Sequence, residues 1–482
     1  MPVAVYRFTR DLRLDDHAGL SAASAHGDIA PALILDRQLE DRLRSSPRRA
    51  AHFCGAAAAL DAALRERGSA LIVRRGEASV ELARLMQELD APAVAWSASY
   101  DRAGIAAGTD LQAALEERGA RAIVVHDSPA IPPEESTAAR SSAGAGYKAF
   151  VPYYDVWREL EPGSYEAPLL LSFMPAGVPS EPLPQPSDFG SDAPVPDAGA
   201  PRAREKLERF LRGQALQYSF AINVPADDRT SHLSADLTLG TLAARTVLRE
   251  TRNRMEDPFL LSEERASLRL FARALAMRDF FLQLSWYNPQ TSEVALQEKM
   301  REFPFLQSHP QLEAWREGRT GFPLVDAGMR QLRATGWMHP RVRAIAASFL
   351  CFDLGIDWRV GMAEWDRYLI EDDPALGVGN WQWIAGVGAD LAAYPRVYNP
   401  YKQARRFDPD GAYARRWIAE LAHGPAPGLS ETQPGSAQIE LPLGGAERYP
   451  RPVLDHDRAA RDFLARYQEF VTPAGGRRSS RR

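Results

Sequence analysis

Short apolar runs alternate with helical patterns through the first 130 residues. The runs AVYRF, IAPALIL, ALIVRR, APAVAWS and RAIVVHD are short and rich in β-branched residues, which is typical of buried strands. Between them lie segments such as FCGAAAALDAALRERG and SVELARLMQELD, whose apolar residues recur at helical spacing. Strands and helices that alternate at this pitch predict βαβ units. We therefore expect residues 1–130 to form a doubly wound α/β domain with a parallel sheet.

Residues 131–202 have a different pattern. IPPEESTAARSSAGAG and PAGVPSEPLPQPSDFGSDAPVPDAGAP are rich in Pro, Gly and Ser and show little periodicity, so they predict a connector. One segment within it, YKAFVPYYDVWREL, is expected to be ordered.

Residues 203–425 show helical periodicity and predict an all-α domain. ARALAMRDFFLQLSWY, VDAGMRQLRATG, PRVRAIAASFLCFDLG and VGMAEWDRYLIEDD each place apolar residues near i, i+3, i+4 and i+7. Residues 426–482 predict a loop, a short helix around residues 455–470 and a basic tail, GGRRSSRR. The tail is expected to be a solvated terminus, with a phosphate-binding arm as the alternative.

The composition narrows the class of protein. The chain has 482 residues, 45% of them hydrophobic and 25% charged, which excludes a disordered chain. Two cysteines, Cys54 and Cys351, exclude a disulfide scaffold and a zinc cluster built on cysteines, and no metal site is expected. The charged start argues against a signal peptide, and no run of about 18 apolar residues predicts a membrane span. We expect a cytoplasmic protein, and a monomer.

The net charge of −5 does not favour nucleic-acid binding, although a basic groove can lie on an acidic body. One candidate site is DRTSHLSADLTLGTL, residues 228–242, where Thr230, Ser231 and Ser234 place hydroxyl groups at the start of a predicted helix. Such a terminus suits a diphosphate. Simple N-capping of the helix by Thr230 or Ser231 is the more common use of these residue types.

Two further clusters lie in the helical half. Arg341 and Arg343 follow Trp337 in an otherwise apolar helix. A buried arginine needs a carboxylate partner, and residues 371–373 (Glu-Asp-Asp) are the obvious candidates, as a structural ion pair or beside a cofactor. In EDDPALGVGNWQWIAGVGAD, the glycines would let a flat group approach the backbone, and Trp381 and Trp383 are otherwise ordinary core aromatics.

The order and the amino-acid sequences of these segments resemble those of the photolyase/cryptochrome family. The likeness runs from VYRFTRDLRLDDHAGL through HDSPAIPP, YKAFVPYYDVW, TSHLSADLTLG, AWREGRTGFPLVDAGMRQLRATGWMHPRVR, WQWIAGVGAD and RVYNPYKQARRFDPDGAY to YPRPVLDHDRAARDFLARY. It implies an N-terminal antenna domain and a helical domain that binds FAD.

The resemblance also implies a set of FAD contacts. Arg343 and Glu371 match an arginine–carboxylate pair beside the flavin ring, which would stabilise an anionic reduced flavin. Gly377 matches the residue that faces the central ring nitrogen. The other implied contacts are Tyr218, Thr230, Ser231, His232, Leu233, Ser234, Arg278, Trp337 and Asp373.

For electron supply, the family uses three tryptophans. Trp381 matches the one next to the flavin and Trp358 the middle one, 23 residues earlier (381 − 358). The surface tryptophan is replaced by Phe305, which is much harder to oxidise. Another aromatic residue could substitute for it, or photoreduction could be slow.

The lesion side departs from the repair enzymes of the family. In those enzymes, four positions of the lesion pocket carry Glu, Trp, Asn and Met. This chain has Ala274, Met277, Pro340 and Ala344 at the same positions, in that order, and Gly377 replaces a further Asn. A phosphate-binding arginine is also absent from the segment YSFAINVP, which has Ala221 and Ile222 there. Basic positions that match DNA contacts remain at Arg341, Arg396 and Lys402.

Three functions follow from this resemblance. The first is a diverged DNA photolyase that transfers an electron from reduced FAD to a DNA lesion under blue light. The alternatives are a cryptochrome-like blue-light photoreceptor and a protein that binds FAD and DNA without repairing dimers. A second, antenna chromophore of the folate or deazaflavin type could bind near WSASYDRAGIAAGTD, where Ser97 stands in place of a common Asn.

Overall fold

The computed structural model describes residues 2–138, 146–165, 171–389, 395–422 and 449–472. The chain divides into two compact units. Unit 1 comprises Met1–Ser219, Arg229–Ser292 and Asp366–Gly377, and unit 2 comprises Phe220–Asp228, Glu293–Trp365 and Val378–Arg482. Most of the predicted C-terminal loop, and the basic tail, lie outside the described residues.

Unit 1 begins with a five-stranded parallel sheet in the order β3-β2-β1-β4-β5. The strands are β1 (Val3–Phe8), β2 (Asp28–Leu35), β3 (Ile72–Arg75), β4 (Ala93–Ser97) and β5 (Arg121–Val125). The helices between and beside them are α1 (Ala18–Ser24), α2 (Arg37–Arg44), α3 (Pro47–Arg65), α4 (Ala78–Leu89) and α5 (Arg102–Glu116). The predicted doubly wound α/β fold is confirmed.

Both faces of this sheet are buried, which explains why its strands are continuous apolar runs rather than alternating ones. Tyr6, Phe8 and Leu33 pack on one face with α1 and α3. Val5 and Ile34 pack on the other face, with Leu82 and Leu115 of the helices there. The strand order reverses between β1 and β4, which places the topological switch point at their carboxyl ends.

A buried ionic network lies at the loop after β1. Asp127 accepts hydrogen bonds from Arg13 at 2.7 Å and from Arg245 at 2.5 Å. His17 caps α1 by accepting from the Leu20 backbone N–H at Nδ1. Burial lowers the pKa of His17 to about 4, so the ring is neutral at pH 7. Because Arg245 belongs to the helix Ala244–Met255, these contacts fix the segment RLDDHAG against that helix.

The rest of unit 1 is helical. Its elements are α6 (Pro133–Thr137), α7 (Phe150–Trp157), α8 (Ala200–Arg212), α9 (Tyr218–Ala221, which continues into unit 2), α10 (Ser234–Leu239), α11 (Ala244–Met255) and α12 (Ser262–Tyr287). α7 falls on the segment expected to be ordered within the connector. The prediction that Thr230 or Ser231 caps a helix is wrong, because α10 begins at Ser234 and its N-cap is Leu233, without a side-chain capping bond.

Unit 2 is built from helices in the part that the structure describes. They are α13 (Leu312–Glu317), α14 (Pro323–Thr335), α15 (Pro340–Ser348), α16 (Trp358–Asp366), α17 (Pro374–Ala385), α18 (Pro400–Phe407), α19 (Ala412–Trp417) and α20 (His456–Val471). α15 continues into a π-helix, Phe349–Asp353. α16 and α17 each have an end that belongs to unit 1. The all-α C-terminal region is confirmed, and no described helix is long and apolar enough to cross a membrane.

One helix is shorter than its pattern predicts. VGMAEWDRYLIEDD was expected to be helical throughout, but α16 ends at Asp366. Arg49 of α3 donates to the backbone carbonyl of Asp366 at 2.6 Å and to that of Leu369 at 3.0 Å. A guanidinium therefore satisfies carbonyls that a continuing helix would have used. The residues after Asp366 form an irregular segment.

Candidate functional site

The irregular segment after α16 carries the predicted flavin-side carboxylates. Asp372 is held by Arg42 of α2 at 2.7 Å, with Arg10 at 3.6 Å and Arg49 at 3.8 Å. Asp372 is thus committed to an ion-pair cluster of unit 1, and its neighbours Glu371 and Asp373 are positioned by that cluster. Arg42 and Arg49 could not be predicted from the sequence, because nothing in their own segments marks them as partners of residues some 320 positions away.

Asp373 begins the next helix. Its Oδ1 accepts from the backbone N–H groups of Ala375 at 3.1 Å and Leu376 at 3.3 Å, which caps α17. Gly377 and Trp381 follow at one-turn spacing in this helix. Because Asp373 lies before Pro374, its backbone is disfavoured from helical geometry, and the chain turns at this point.

The predicted diphosphate segment lies before α10. Thr230 is buried, and Ser231 accepts at Oγ from the Leu233 backbone N–H at 3.4 Å. His232 has a positive φ of 52°, so the backbone makes a left-handed turn here. Tyr218 packs edge-on against Phe271 of α12.

Arg278 joins α12 to this segment. Its Nη1 and Nη2 atoms donate to the carbonyl and hydroxyl oxygens of Ser128 at 2.8 Å each, and Nη2 also reaches the carbonyl of Leu237 in α10 at 3.2 Å. Arg278 is 8% exposed, and its Nε has no hydrogen-bond partner among the described residues. The structure therefore brings Arg278 to the helix that follows Thr230–Ser234.

Another buried polar atom lies in the same unit. Nε2 of His52, in α3, has no hydrogen-bond partner among the described residues. Burial lowers the pKa of His52, and Asp236, Lys206 and Glu371 are close enough to act on it electrostatically. A buried nitrogen without a partner costs free energy unless a ligand supplies one. A polar cofactor such as FAD would supply a partner of the kind that Arg278 Nε and His52 Nε2 lack among the described residues.

Unit 2 contains the predicted arginines. Arg343 donates from Nε to the carbonyl of Met338 at 2.7 Å, and Trp337 lies edge-on to His339. Arg341 donates to Asn223 Oδ1 at 2.8 Å, and its guanidinium lies 5.0 Å from the centre of the Phe407 ring. Part of the Arg341 guanidinium is therefore already bound within the protein.

Helix α18 adds further positive charge beside Arg341. Arg406 lies over the Phe407 ring at 5.1 Å, and Lys402 is exposed in the same helix. Arg396 precedes α18 and is also exposed. The described part of unit 2 therefore gathers the predicted DNA-side residues Arg341 and Lys402 around one helix.

The tryptophans of unit 2 form a cluster that the sequence analysis did not anticipate. Trp381 lies with its ring centre 4.5 Å from that of Trp365, and Trp365 stacks on Trp315 at 6.3 Å. Trp358 lies under the guanidinium of Arg359 at 4.5 Å. Trp365 lies seven residues after Trp358, so the two share a helix face. That spacing is the sequence signal from which the position of Trp365 could have been predicted.

The predicted lesion-side positions lie on two helices, one in each unit. Ala274 is exposed and Met277 half-buried, one turn apart on α12 in unit 1. In unit 2, Pro340 is the first residue of α15, where His339 caps the helix by accepting from the Arg341 backbone N–H. Proline suits this position because its missing N–H is not needed there. Ala344 is half-buried in the same helix.

A cavity of about 1220 Å³ opens at the carboxyl ends of the strands of unit 1. Its walls include Trp96, His126 and Trp286, together with Gly104 and Gly108 of α5. Further lining comes from Arg7, Asp36, Arg75 and Ser97. This is the switch-point edge of the sheet, where ligands of doubly wound folds bind.

Several polar groups that line the cavity are held by hydrogen bonds within the protein. Ser97 is buried and donates to Asp11 Oδ2 at 2.5 Å, so its hydroxyl is committed to the protein. The ring of His126, which lines the cavity, packs edge-on against Trp286, and its Nδ1 lies 2.6 Å from the Tyr100 hydroxyl. Arg7 donates to Asp36 at 2.7 Å, and its Nε has no hydrogen-bond partner among the described residues.

Comparison with known proteins identifies the family. Residues 4–171 match the family described as DNA photolyase, and residues 271–469 match the FAD binding domain of DNA photolyase. The chain is 33% identical to a protein of Halobacterium salinarum named deoxyribodipyrimidine photo-lyase, over 95% of this chain and 97% of that one. It is 35% identical to a protein of the same name from Streptomyces griseus, over 96% and 98%.

Solved structures agree with these matches. A bacterial class III photolyase from Agrobacterium tumefaciens has a TM-score of 0.81 at 30% identity, covering 97% of each chain. An archaeal photolyase from Sulfolobus tokodaii, solved with two FAD molecules, has a TM-score of 0.79 at 27% identity, covering 97% of this chain and 100% of that one. A cryptochrome from Synechocystis has 0.82 at 25% identity, covering 97% and 99%. The chain belongs to the photolyase/cryptochrome family, with FAD as its cofactor.

Proposed function

We propose that the chain is a light-driven DNA-repair flavoenzyme, a carbon–carbon lyase of the deoxyribodipyrimidine photo-lyase type with a remodelled lesion pocket. The observation that carries this proposal is the full-length likeness to proteins of that name, which includes their FAD-binding domain. Bound FAD, once reduced and excited by blue light, supplies the electron that splits the lesion.

In this proposal, the residues that the family resemblance identifies hold the cofactor. Thr230, Ser231, His232, Leu233 and Ser234 lie on the diphosphate side, and Arg278 and Tyr218 support them. Trp337, Arg343, Glu371, Asp373 and Gly377 lie on the ring side. The Arg42–Asp372 ion pair keeps the carboxylates of this segment in place, and a fixed guanidinium at Arg343 favours the anionic reduced cofactor.

DNA binding would rest on phosphate contacts. Arg396 and Lys402 are exposed, and Arg341 lies beside α18 against Phe407. Phosphate contacts of this kind bind any sequence and make affinity depend strongly on salt. They support DNA as the partner without specifying a lesion.

The lesion pocket is the part that differs from the dimer-repairing enzymes. Ala274 supplies no carboxyl group for the pyrimidine carbonyls, and Met277 supplies no aromatic platform. Replacing an aromatic side chain at a stacked base costs about 1–3 kcal/mol. We infer that a cyclobutane dimer would bind weakly here, and that the lesion is held by other contacts.

Repair itself tests the proposal. The purified protein is reduced chemically, mixed with an oligonucleotide that carries a thymine dimer, and illuminated with blue light. Restored thymines are counted by chromatography, with a dark sample as the control. Light-dependent restoration supports the proposal, and the double variant A274E/M277W is expected to raise the rate. No restoration by either protein with FAD bound would exclude dimer repair.

A second candidate function is a blue-light photoreceptor. It is favoured by the absence of the repair-type residues at Ala274 and Met277, together with the likeness to the Synechocystis cryptochrome. In that case the illuminated protein changes the redox state of its flavin but leaves the dimer intact.

We further propose that the cavity of unit 1 holds a second, light-absorbing chromophore. Its volume of about 1220 Å³ exceeds what a drug-sized ligand needs, and Trp96 and Trp286 offer apolar ring surfaces. The matching test adds a folate, a deazaflavin or excess FAD to the protein and measures energy transfer to the flavin. Gly108→Trp, which would place an indole in the part of the cavity beside Trp96, should weaken that transfer while leaving the FAD of the other site bound.

A further inference from the structure

The first residue of unit 2, Phe220 in α9, carries a large apolar side chain on the surface. It is 63% exposed, whereas the next residue, Ala221, is 1% exposed. The short helix is therefore packed against the protein while the phenyl ring faces solvent. Single exposed aromatic residues are common on protein surfaces, so the surroundings of this ring decide what it can bind.

The backbone that carries Phe220 is held by two turns. The carbonyl of Phe220 accepts from the Asn223 backbone N–H at 2.9 Å, and the carbonyl of Ala221 accepts from the Val224 N–H at 3.1 Å. Asn223 Oδ1 in turn accepts from Arg341 Nη2 at 2.8 Å. The phenyl ring is thus attached to a fixed turn, so less conformational freedom is lost when a ligand binds to it.

Arg341 joins this turn to the positive face of α18. Its guanidinium lies 5.0 Å from the centre of the Phe407 ring, and the guanidinium of Arg406 lies 5.1 Å from the same ring. Lys402 and Arg406 are exposed, and their i, i+4 spacing places them on one face of the helix. An exposed ring and exposed cations are therefore connected through Arg341.

This combination is the chemistry of a contact with single-stranded nucleic acid. Cations hold the phosphates of such a strand, and an aromatic ring stacks on an unpaired base. Asp408, at the end of α18, is buried, and its carboxylate accepts from two backbone N–H groups of α19. The exposed charge of α18 is therefore positive, although the chain as a whole has a net charge of −5.

The turn also lacks a charge that the family resemblance leads one to expect. Ala221 and Ile222 stand where the resemblance places a phosphate-binding arginine. Neither side chain can bind a phosphate, and the exposed side chain of the turn is that of Phe220. A phenyl ring makes no ionic contact, but its face stacks on the face of any nucleobase. The turn is therefore better suited to a base than to a phosphate.

We propose that Phe220 stacks on an unpaired base of bound DNA, while Arg341, Lys402 and Arg406 bind phosphates of the same strand. The proposal rests on the proposed function, because that function makes DNA the partner. Enzymes that act on a base take it out of the duplex, which leaves unpaired bases for such a ring to contact. Stacking adds affinity that depends little on salt, in contrast to the phosphate contacts.

The test measures how the FAD-loaded protein binds a fluorescein-labelled, single-stranded oligothymidylate, by fluorescence anisotropy at several salt concentrations. Phe220→Ala should weaken the affinity by about fivefold to hundredfold at every salt concentration, without changing the slope of log K against log salt. Phe220→Trp should bind as tightly as the unaltered protein or more tightly, because it keeps an aromatic face. Lys402→Ala should instead reduce the slope by about 0.7.

Phe259→Ala is the matched control. Phe259 is 91% exposed and lies in unit 1, between α11 and α12. Its removal takes away an exposed phenyl ring elsewhere in the chain, and the affinity should equal that of the unaltered protein. A fully paired duplex offers no unstacked base along its length, so Phe220→Ala should bind it as tightly as the unaltered protein does. Equal FAD absorbance and equal urea midpoints in all variants would show that the fold is intact.

Two results would overturn the proposal. One is equal affinity of Phe220→Ala and the unaltered protein for the single strand. The other is an unaltered protein that binds no DNA, which would leave this surface to a protein partner. Failure of the proposed function gives a different result. If Phe220→Ala loses affinity but no lesion is repaired, the stacking contact stands and the repair function fails. If the lesion is repaired and Phe220→Ala binds normally, the repair function stands and the stacking contact fails.

Discussion

The substitution Gly361→Ala tests the packing of the tryptophan cluster directly. A Cβ at this position would lie 2.7 Å from Trp381 Cζ3, and it would come closer still to Trp381 Cη2 and to Leu350 Cδ2. Ordinary contacts between carbon atoms are about 3.5–4.0 Å. The indole would therefore have to move by roughly 1 Å or more relative to α16, and Leu350 by a similar amount.

Two opposing effects set the magnitude. In a helix interior, alanine is more favourable than glycine by about 1 kcal/mol. Inserting a methyl group into a packed core costs about 1–3 kcal/mol. The net expectation is that Gly361→Ala lowers the free energy of unfolding by up to about 2 kcal/mol, instead of raising it by about 1 kcal/mol.

A matched variant calibrates the helix propensity. Ala363 is exposed two residues later in α16, so Ala363→Gly measures the propensity difference without a packing change. Both free energies of unfolding are measured by urea titration, with tryptophan fluorescence as the signal. Circular dichroism of the native state reports the excitonic coupling (the couplet) between the Trp365 and Trp381 rings. If Gly361→Ala stabilises the protein by as much as Ala363→Gly destabilises it, and the couplet is unchanged, the contact between Gly361 and Trp381 does not exist.

Other predictions concern the first loop, a buried carboxylate and DNA binding. Because burial lowers the pKa of His17 to about 4 from 6.5, its neutral ring contributes stability that is complete above pH 6.5 and is lost as the pH falls to 4. In His17→Asn, the free energy of unfolding should lose about 3 kcal/mol less over this pH range than in the unaltered protein. An equal pH dependence in both proteins would contradict the prediction. Asp326 accepts from the Gly321 N–H at 2.9 Å. Asp326→Asn should cost about 1–3 kcal/mol in urea unfolding, and a neutral result would refute this account of the loop. If Arg396 and Lys402 contact phosphates, replacing both with Ala should reduce the slope of log K against log salt by about 2 for duplex DNA. An unchanged slope would remove them from the interface.

Local patterns predicted the elements of unit 1 well, because its strands are continuous apolar runs in a sheet buried on both faces. They overestimated the helix after Trp358, since the apolar spacing of WRVGMAEWDRYLI continues past Asp366. What ends that helix is Arg49, whose guanidinium binds the carbonyls of Asp366 and Leu369. An interaction between residues so far apart in the chain leaves no periodic trace in either segment.

The candidate site could likewise be predicted from the sequence only in part. The resemblance named Trp381 and Trp358, and it identified Phe305 as a break in the expected electron path. It did not name Trp365, because ring contact depends on how α16 packs against the turn that carries Trp381. Likewise, Asp372 was one of three candidate partners for an arginine of the helical half, whereas the structure pairs it with Arg42.

The amino-acid sequence by itself determined the parallel α/β region, the helical C-terminal region, the family and the FAD cofactor. The two regions follow from hydrophobic periodicity, and the family and its cofactor follow from the resemblance that the sequence motifs carry. Only the tertiary structure decided which carboxylate the arginines of α2 and α3 hold, where the cavity of unit 1 opens and which indole lies against Trp381. Each of these depends on the distance between side chains from distant segments, and packing sets that distance.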